Sequence, residues 1–165
     1  VRGERLPHRP SGFERKLYVS AYQALLFNRM LEKRLRDGAL RRALGGDLMK
    51  KTESGGLFVC REPEVDQPRV ERGEIVPTGP IFGWKMQRPE RGVDAAEQAM
   101  LTAEGLGLDS FRRLGSIAEG TRRPFAVPVA DARWSVEGSA VELAFTLPAG
   151  SYATVLLDEV MKGAG

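Results

Sequence analysis

One cysteine and one histidine are all that this 165-residue chain holds of the two most versatile catalytic side chains. A single thiol excludes an internal disulfide framework and suits a reducing cytoplasm. Cys60 lies in the apolar run Leu57-Phe58-Val59-Cys60, which reads as a buried structural position. His8 sits in the Arg/Pro/Gly-rich opening, so neither histidine-based catalysis nor a histidine-ligated metal site is expected. No apolar run is long enough to span a bilayer, and no signal-peptide pattern opens the chain. The Gly/Pro-rich stretch after Ile75 is not followed by Gly-Lys-Ser/Thr, which excludes a P-loop, and no dinucleotide-binding glycine fingerprint follows a strand.

What is present is ordinary in amount and uneven in placement. Apolar residues make up 42% and charged residues 28%, as in a globular protein of one domain or two small ones. Residues 1–52 carry 13 Lys/Arg against 5 Asp/Glu, whereas residues 53–165 carry 12 against 17. A basic N-terminal third is what a nucleic-acid backbone attracts; it is equally what a solvated helix face and a loose tail present.

Residues 1–15 read as a disordered segment or linker, and a start at Val1 with no fold signal resembles the middle of something longer. A helix is expected over Ala21–Asp37, with Ser20 and Gln23 as its capping box and Gly38 as its stop. Tyr22, Leu25, Leu26, Met30 and Leu35 form its apolar stripe, leaving Arg29, Lys33, Arg34 and Arg36 outside. Leu48–Lys51 and Leu57–Cys60 form a hairpin across Ser54-Gly55-Gly56. About one helical turn is expected around Asp66–Arg72, and Ile75–Gly83 reads as a shaped loop because Gly and Pro punctuate it.

Asp94 with Glu97 looks like a second capping box opening a helix, and Asp109 caps a short one. Three strands are expected at Phe125–Ala130, Arg133–Val136 and Val141–Leu147, then a helix from Ser151 to Lys162 turning Val155, Leu156, Val160 and Met161 inward. The order implies an α+β fold with an inserted subdomain.

The stretch Leu147-Pro148-Ala149-Gly150-Ser151-Tyr152-Ala153-Thr154 joins the last strand to that helix. It places Tyr152 where backbone N–H groups favour anions. Such an aromatic can stack a flipped base, or close the corner as a core residue. Ser151 has no histidine to activate it and reads as the helix cap. Arg122-Arg123 could meet phosphates or water.

Six segments, in order, resemble the tRNA pseudouridine synthase D (TruD) family. They are Ser20–Arg29 (SAYQALLFNR), Ser54–Val59 (SGGLFV), Gln67–Arg72 (QPRVER), Pro77–Met86 (PTGPIFGWKM), Gly120–Arg123 (GTRR) and Leu147–Thr154 (LPAGSYAT), within about residues 16–162. The resemblance implies a cofactor-free, metal-free isomerase that flips a uridine out of tRNA, at position 13 in bacterial members, and turns it into pseudouridine with one essential aspartate.

It also implies a mixed-sheet catalytic domain interrupted by a family-specific α/β insertion. Residues 16–45 and 121–165 would then be pieces of the catalytic domain, and 46–120 the insertion. The family's aspartate and its Asn/Tyr/Phe/Gly segment precede the first matched helix; residues 1–15 match neither and hold no aspartate.

The expectation is therefore a C-terminal portion, inactive alone, in which Tyr152 lines the site with Ser151 and Gly150 beside it. Arg29, Lys33, Lys85, Arg122 and Arg123 would face tRNA in the cytoplasm, away from any membrane. Edges left by the missing half would promote self-association. The alternative is a non-catalytic RNA-binding or interaction module that keeps the scaffold.

Overall fold

The computed structural model describes residues 10–162. The fold is α+β, and it divides into two compact units, one ending at Phe125 and the other beginning at Ala126. The helix Gly12–Arg36, the segment 46–120 and the strand Thr121–Pro124 all lie within the first unit.

The first unit opens with helix α1, Gly12–Arg36. Ser11, directly after Pro10, caps it: the Ser11 hydroxyl accepts the Glu14 N–H and the Glu14 carboxylate accepts the Ser11 N–H. The helix therefore starts well before the expected Ser20, because nothing between Gly12 and Ser20 breaks it. Residues 12–15 of the expected linker are helical, and residues 1–9 lie outside the described residues. The buried face runs Gln23, Leu26, Phe27, Met30, Arg34, a clean i, i+3, i+4, i+7 pattern that includes two polar residues. Leu25 and Leu35, expected inside, are exposed. Gln23 caps nothing; it donates to the Phe82 carbonyl at 2.6 Å.

Four antiparallel strands make the sheet: β1 (Leu48–Lys51), β2 (Leu57–Val59), β3 (Ile75–Ile81) and β4 (Thr121–Pro124), in the order β2-β1-β3-β4. The stretch expected to be a loop is thus an inner strand. Its register explains how Pro77 and Pro80 are tolerated: residues 75–77 pair with β1 and residues 78–81 pair with β4. Only Pro77 is engaged on both sides by its backbone, and there through its carbonyl, which accepts the Phe125 N–H, so the missing proline N–H groups cost little. Helix α2 (Pro63–Glu71) extends past the single turn expected, α3 spans Arg91–Ala103, and α4 (Leu108–Arg112) leads into a 3-10 turn at Gly115–Ala118.

Three apolar clusters fill this unit. Leu26, Phe82, Leu101 and Phe111 join α1 to α3 and α4; Met49, Cys60, Val70 and Ile75 lie between the sheet and α2; Phe27, Met30 and Phe125 close the β4 side. Burial, reinforced by the Asp66 carboxylate, pushes the Cys60 thiol up to about 12, so it is an inert packing group.

The second unit is a hairpin, β5 (Ala130–Glu137) and β6 (Ala140–Thr146), followed by α5 (Ala153–Met161). The strand expected at Phe125–Ala130 is not formed; pairing occurs earlier, at Thr121–Pro124, in the other unit. Every strand pairing among the described residues is antiparallel.

Candidate nucleic-acid interface

In the second unit, β6 ends at Thr146 and a turn follows in which the Ser151 N–H donates to the Pro148 carbonyl at 3.1 Å. Gly150 takes φ +85, a conformation that a side chain disfavours, and this sends the chain into α5. The N-cap is Tyr152 in an extended conformation, and no side chain caps the helix. Ser151 therefore does not have the capping role expected of it. The first-turn amides of α5 are left without a side-chain partner beside a phenol that is 77% exposed. Tyr152 is not a core aromatic of this unit.

The rest of the unit is equally open. Strand alternation puts Trp134 and Val136 opposite Leu143 and Val141, giving the hairpin one apolar face. Trp134 is 72% exposed, and Val155, Val160 and Met161, expected to point inward, are mostly exposed too. A cleft lined by Trp134, Leu143, Phe145, Leu156 and Val160 remains between hairpin and helix.

The five candidate cations have different fates. Arg122 is buried: its guanidinium makes two bonds to the Glu97 carboxylate, 2.9 and 2.8 Å, and one to the Thr78 carbonyl at 2.8 Å. Its Nε faces the Thr78 hydroxyl, which itself donates to the Leu48 carbonyl. That side chain has no face left for a phosphate, so the phosphate role expected of it is corrected to a structural one. Arg123, its neighbour, points the other way; it is exposed and lies over the Phe27 ring, 5.2 Å from the centroid. Arg29, Lys33 and Lys85 are exposed on α1 and after β3, each with a surface carboxylate: Glu104, Asp37 and Glu119. Exposed pairs of this kind contribute little to stability; Glu104 is the exception, partly buried and also accepting from the Tyr22 hydroxyl.

Two buried ion pairs escaped the sequence reading. Glu97 is no capping residue; it lies in phase with Leu101 on the inner face of α3, and burial pushes its carboxyl upward while Arg122 opposes the shift. Arg34, assigned to the polar face of α1, forks onto Asp47 at 2.7 and 2.6 Å and donates to the carbonyls of Ala39 and Arg42. The one available signal was a charged residue falling on the apolar phase of each helix. Together the two pairs tie α1, β1, β3, α3 and β4 together. Within the segments Pro77–Met86 and Gly120–Arg123, Thr78 and Arg122 share the Glu97 cluster, and Gln23 of Ser20–Arg29 bonds separately to the Phe82 carbonyl. Among the described residues no cluster has the makings of a metal site.

The described residues thus form an α+β unit with a basic helix, followed in sequence by a hairpin and a helix whose uncapped start carries an exposed tyrosine. The profile of the tRNA pseudouridine synthase D (TruD) family matches residues 13–160, and the chain belongs to that family. It is 49% identical over 150 residues to a tRNA pseudouridine synthase D of Anaeromyxobacter sp. (strain Fw109-5), an alignment covering 91% of this chain and 43% of that one. Over 171 residues it is 43% identical to a protein of the same name from Geobacter metallireducens, covering 97% and 42%. A crystal structure described as a tRNA pseudouridine synthase D from Methanosarcina mazei superimposes with a TM-score of 0.74 at 25% identity, covering 89% of this chain and 38% of that one. The chain thus spans less than half the length of these relatives. No helix among the described residues is long and apolar enough to cross a membrane.

Proposed function

We propose that this chain forms the C-terminal part of a tRNA pseudouridine synthase, an isomerase that converts uridine to pseudouridine at tRNA position 13. The observation that carries the proposal is the Leu147–Thr154 corner, with Tyr152 exposed at the start of α5 in a stretch that the family profile covers. In this reading Tyr152 packs against the flipped nucleotide, and Gly150 and Ser151 shape the backbone beside it. Arg123, Arg29, Lys33 and Lys85 meet the tRNA backbone, and the enzyme works without a cofactor in the cytoplasm. Residues 46–120 belong to the insertion that interrupts the catalytic domain in this family.

The aspartate that detaches and turns the base comes from outside these residues. Asp47 is sealed against Arg34, and Asp131 accepts the Thr146 hydroxyl in the hairpin, which supports leaving both out of the chemistry. The apolar face of the second unit is what an absent partner segment would leave uncovered.

Tritium release from tRNA labelled at uracil C5 tests the proposal, since the tritium leaves when C5 takes the place of N1 on the ribose. No release is expected from the chain alone, and release is expected when the preceding half of a relative is supplied. Turnover by the isolated chain would refute the claim that its aspartates are uninvolved. Tight tRNA binding with no turnover in the complemented mixture would favour a non-catalytic RNA-binding module.

A further inference from the structure

We propose that the first unit carries a second RNA contact, a pocket between α1 and α4 that takes one nucleobase of the same strand. The proposal rests on the tRNA reading above for its ligand, and on the pocket itself for its location. Tyr18 and Tyr22, one turn apart on α1, face Phe111, Ser110 and Arg113 across a cleft of about 290 Å³. That size lies at the lower edge of small-molecule pockets, about 300–1,000 Å³, and suits a single planar ring.

The walls are three rings, Tyr18, Tyr22 and Phe111, and three aliphatic side chains, Val19, Leu106 and Leu114, between which a flat base can lie. Tyr18 is 47% exposed, so a phenol face is open to stacking. Tyr22 is fixed by its hydroxyl, which donates to Glu104 at 2.9 Å, and Phe111 closes the floor. Arg113 is exposed and lines the pocket, and Arg112 beside it makes an exposed contact to Asp109. Arg15 lies one turn before Tyr18 on α1 and is also exposed. Glu104 pairs with Arg29, Asp109 with Arg112, and Glu14, one turn before Tyr18, accepts the Ser11 N–H. Rings that stack bases beside an arginine that meets a phosphate are a recurrent arrangement for single-stranded nucleic acid, and Arg113 supplies that cation here.

The test is an NMR titration of this chain with uridine 5′-monophosphate and with a short oligouridylate, following the ring signals of Tyr18 and Tyr22. tRNA affinity is measured in parallel. Saturable ring shifts are expected, with roughly tenfold weaker oligonucleotide binding in Tyr18→Ala and Arg113→Ala, the scale of one lost base–aromatic contact. Lys51→Ala, an exposed cation on β1, is expected to bind as the parent does. Both pocket substitutions are at exposed side chains, and dispersed amide spectra would establish that each variant is folded.

If tRNA binds and neither probe moves the tyrosines, the pocket proposal fails and the tRNA reading stands. If the probes bind but tRNA does not, the tRNA reading fails and the pocket stands. Silence in both sinks both, and an apolar protein segment becomes the occupant to seek.

Discussion

Arg122 and Arg123 are adjacent in sequence and opposite in environment. Strand alternation in β4 turns one inward and one outward, and nothing in the dipeptide says which. The deciding partner, Glu97, is on another element, and its burial only becomes visible once α3 is docked. Residues whose role depends on local chain geometry were easier to read: Cys60 is buried as its apolar run implied, and Tyr152 falls at the helix start. Removing one member of a buried pair leaves the other charge without compensation, at a cost of about 3–5 kcal/mol. Arg122→Ala is therefore expected to lower unfolding stability by that amount in a urea titration. Its RNA affinity, measured where the variant is still folded, is expected to match the parent. A stable variant with weakened RNA binding would return Arg122 to the phosphate-contacting set.

At the scale of elements, β1 falls at its expected bounds and β2 within one residue of them, whereas α1 and α3 start earlier than expected, since Ser20-Gln23 and Asp94-Glu97 imitate capping boxes inside continuing helices. Strand β3 was hidden for a different reason: its prolines argue against a strand unless the pairing divides between two neighbours. Gly79 in that strand shows what the element must accommodate. A Cβ there would lie 2.3 Å from the Phe125 ring and 2.9 Å from Phe27. The two rings stack at 5.6 Å, with Arg34 over Phe125 and Arg123 over Phe27, so neither can retreat freely. Gly79→Ala is expected to cost about 1–3 kcal/mol as overpacking. Combining it with Phe125→Leu should recover part of that loss, which a double-mutant cycle would detect. Purely additive losses would mean the backbone, not the ring, sets the need for glycine.

For the molecule as a whole, the asymmetry between the units is the dominant fact. All three buried apolar clusters belong to the first unit, whereas α5 has no buried residue and β5 is exposed along its length. A two-stranded hairpin with one helix is marginal without further covering. Its exposed apolar face, centred on Trp134, Val136 and Val141, invites association. Alternation alone does not assign this, because the pattern that forms a strand says nothing of what its apolar side meets; the expectation of self-association comes from the family resemblance. Each unit holds one of the chain's two tryptophans, Trp84 and Trp134, so their melts can be followed separately. With Trp134→Phe, the remaining Trp84 emission should report a cooperative transition. With Trp84→Phe, the remaining Trp134 should show a broad, early transition and an emission that shifts with protein concentration. Sedimentation should find the parent chain self-associating at tens of micromolar, and Val136→Glu with Val141→Lys should return it toward monomer while leaving the Trp84 transition in place. A parent chain that stays monomeric and melts sharply at both tryptophans would mean the second unit is complete as it stands, and that its apolar face needs no partner.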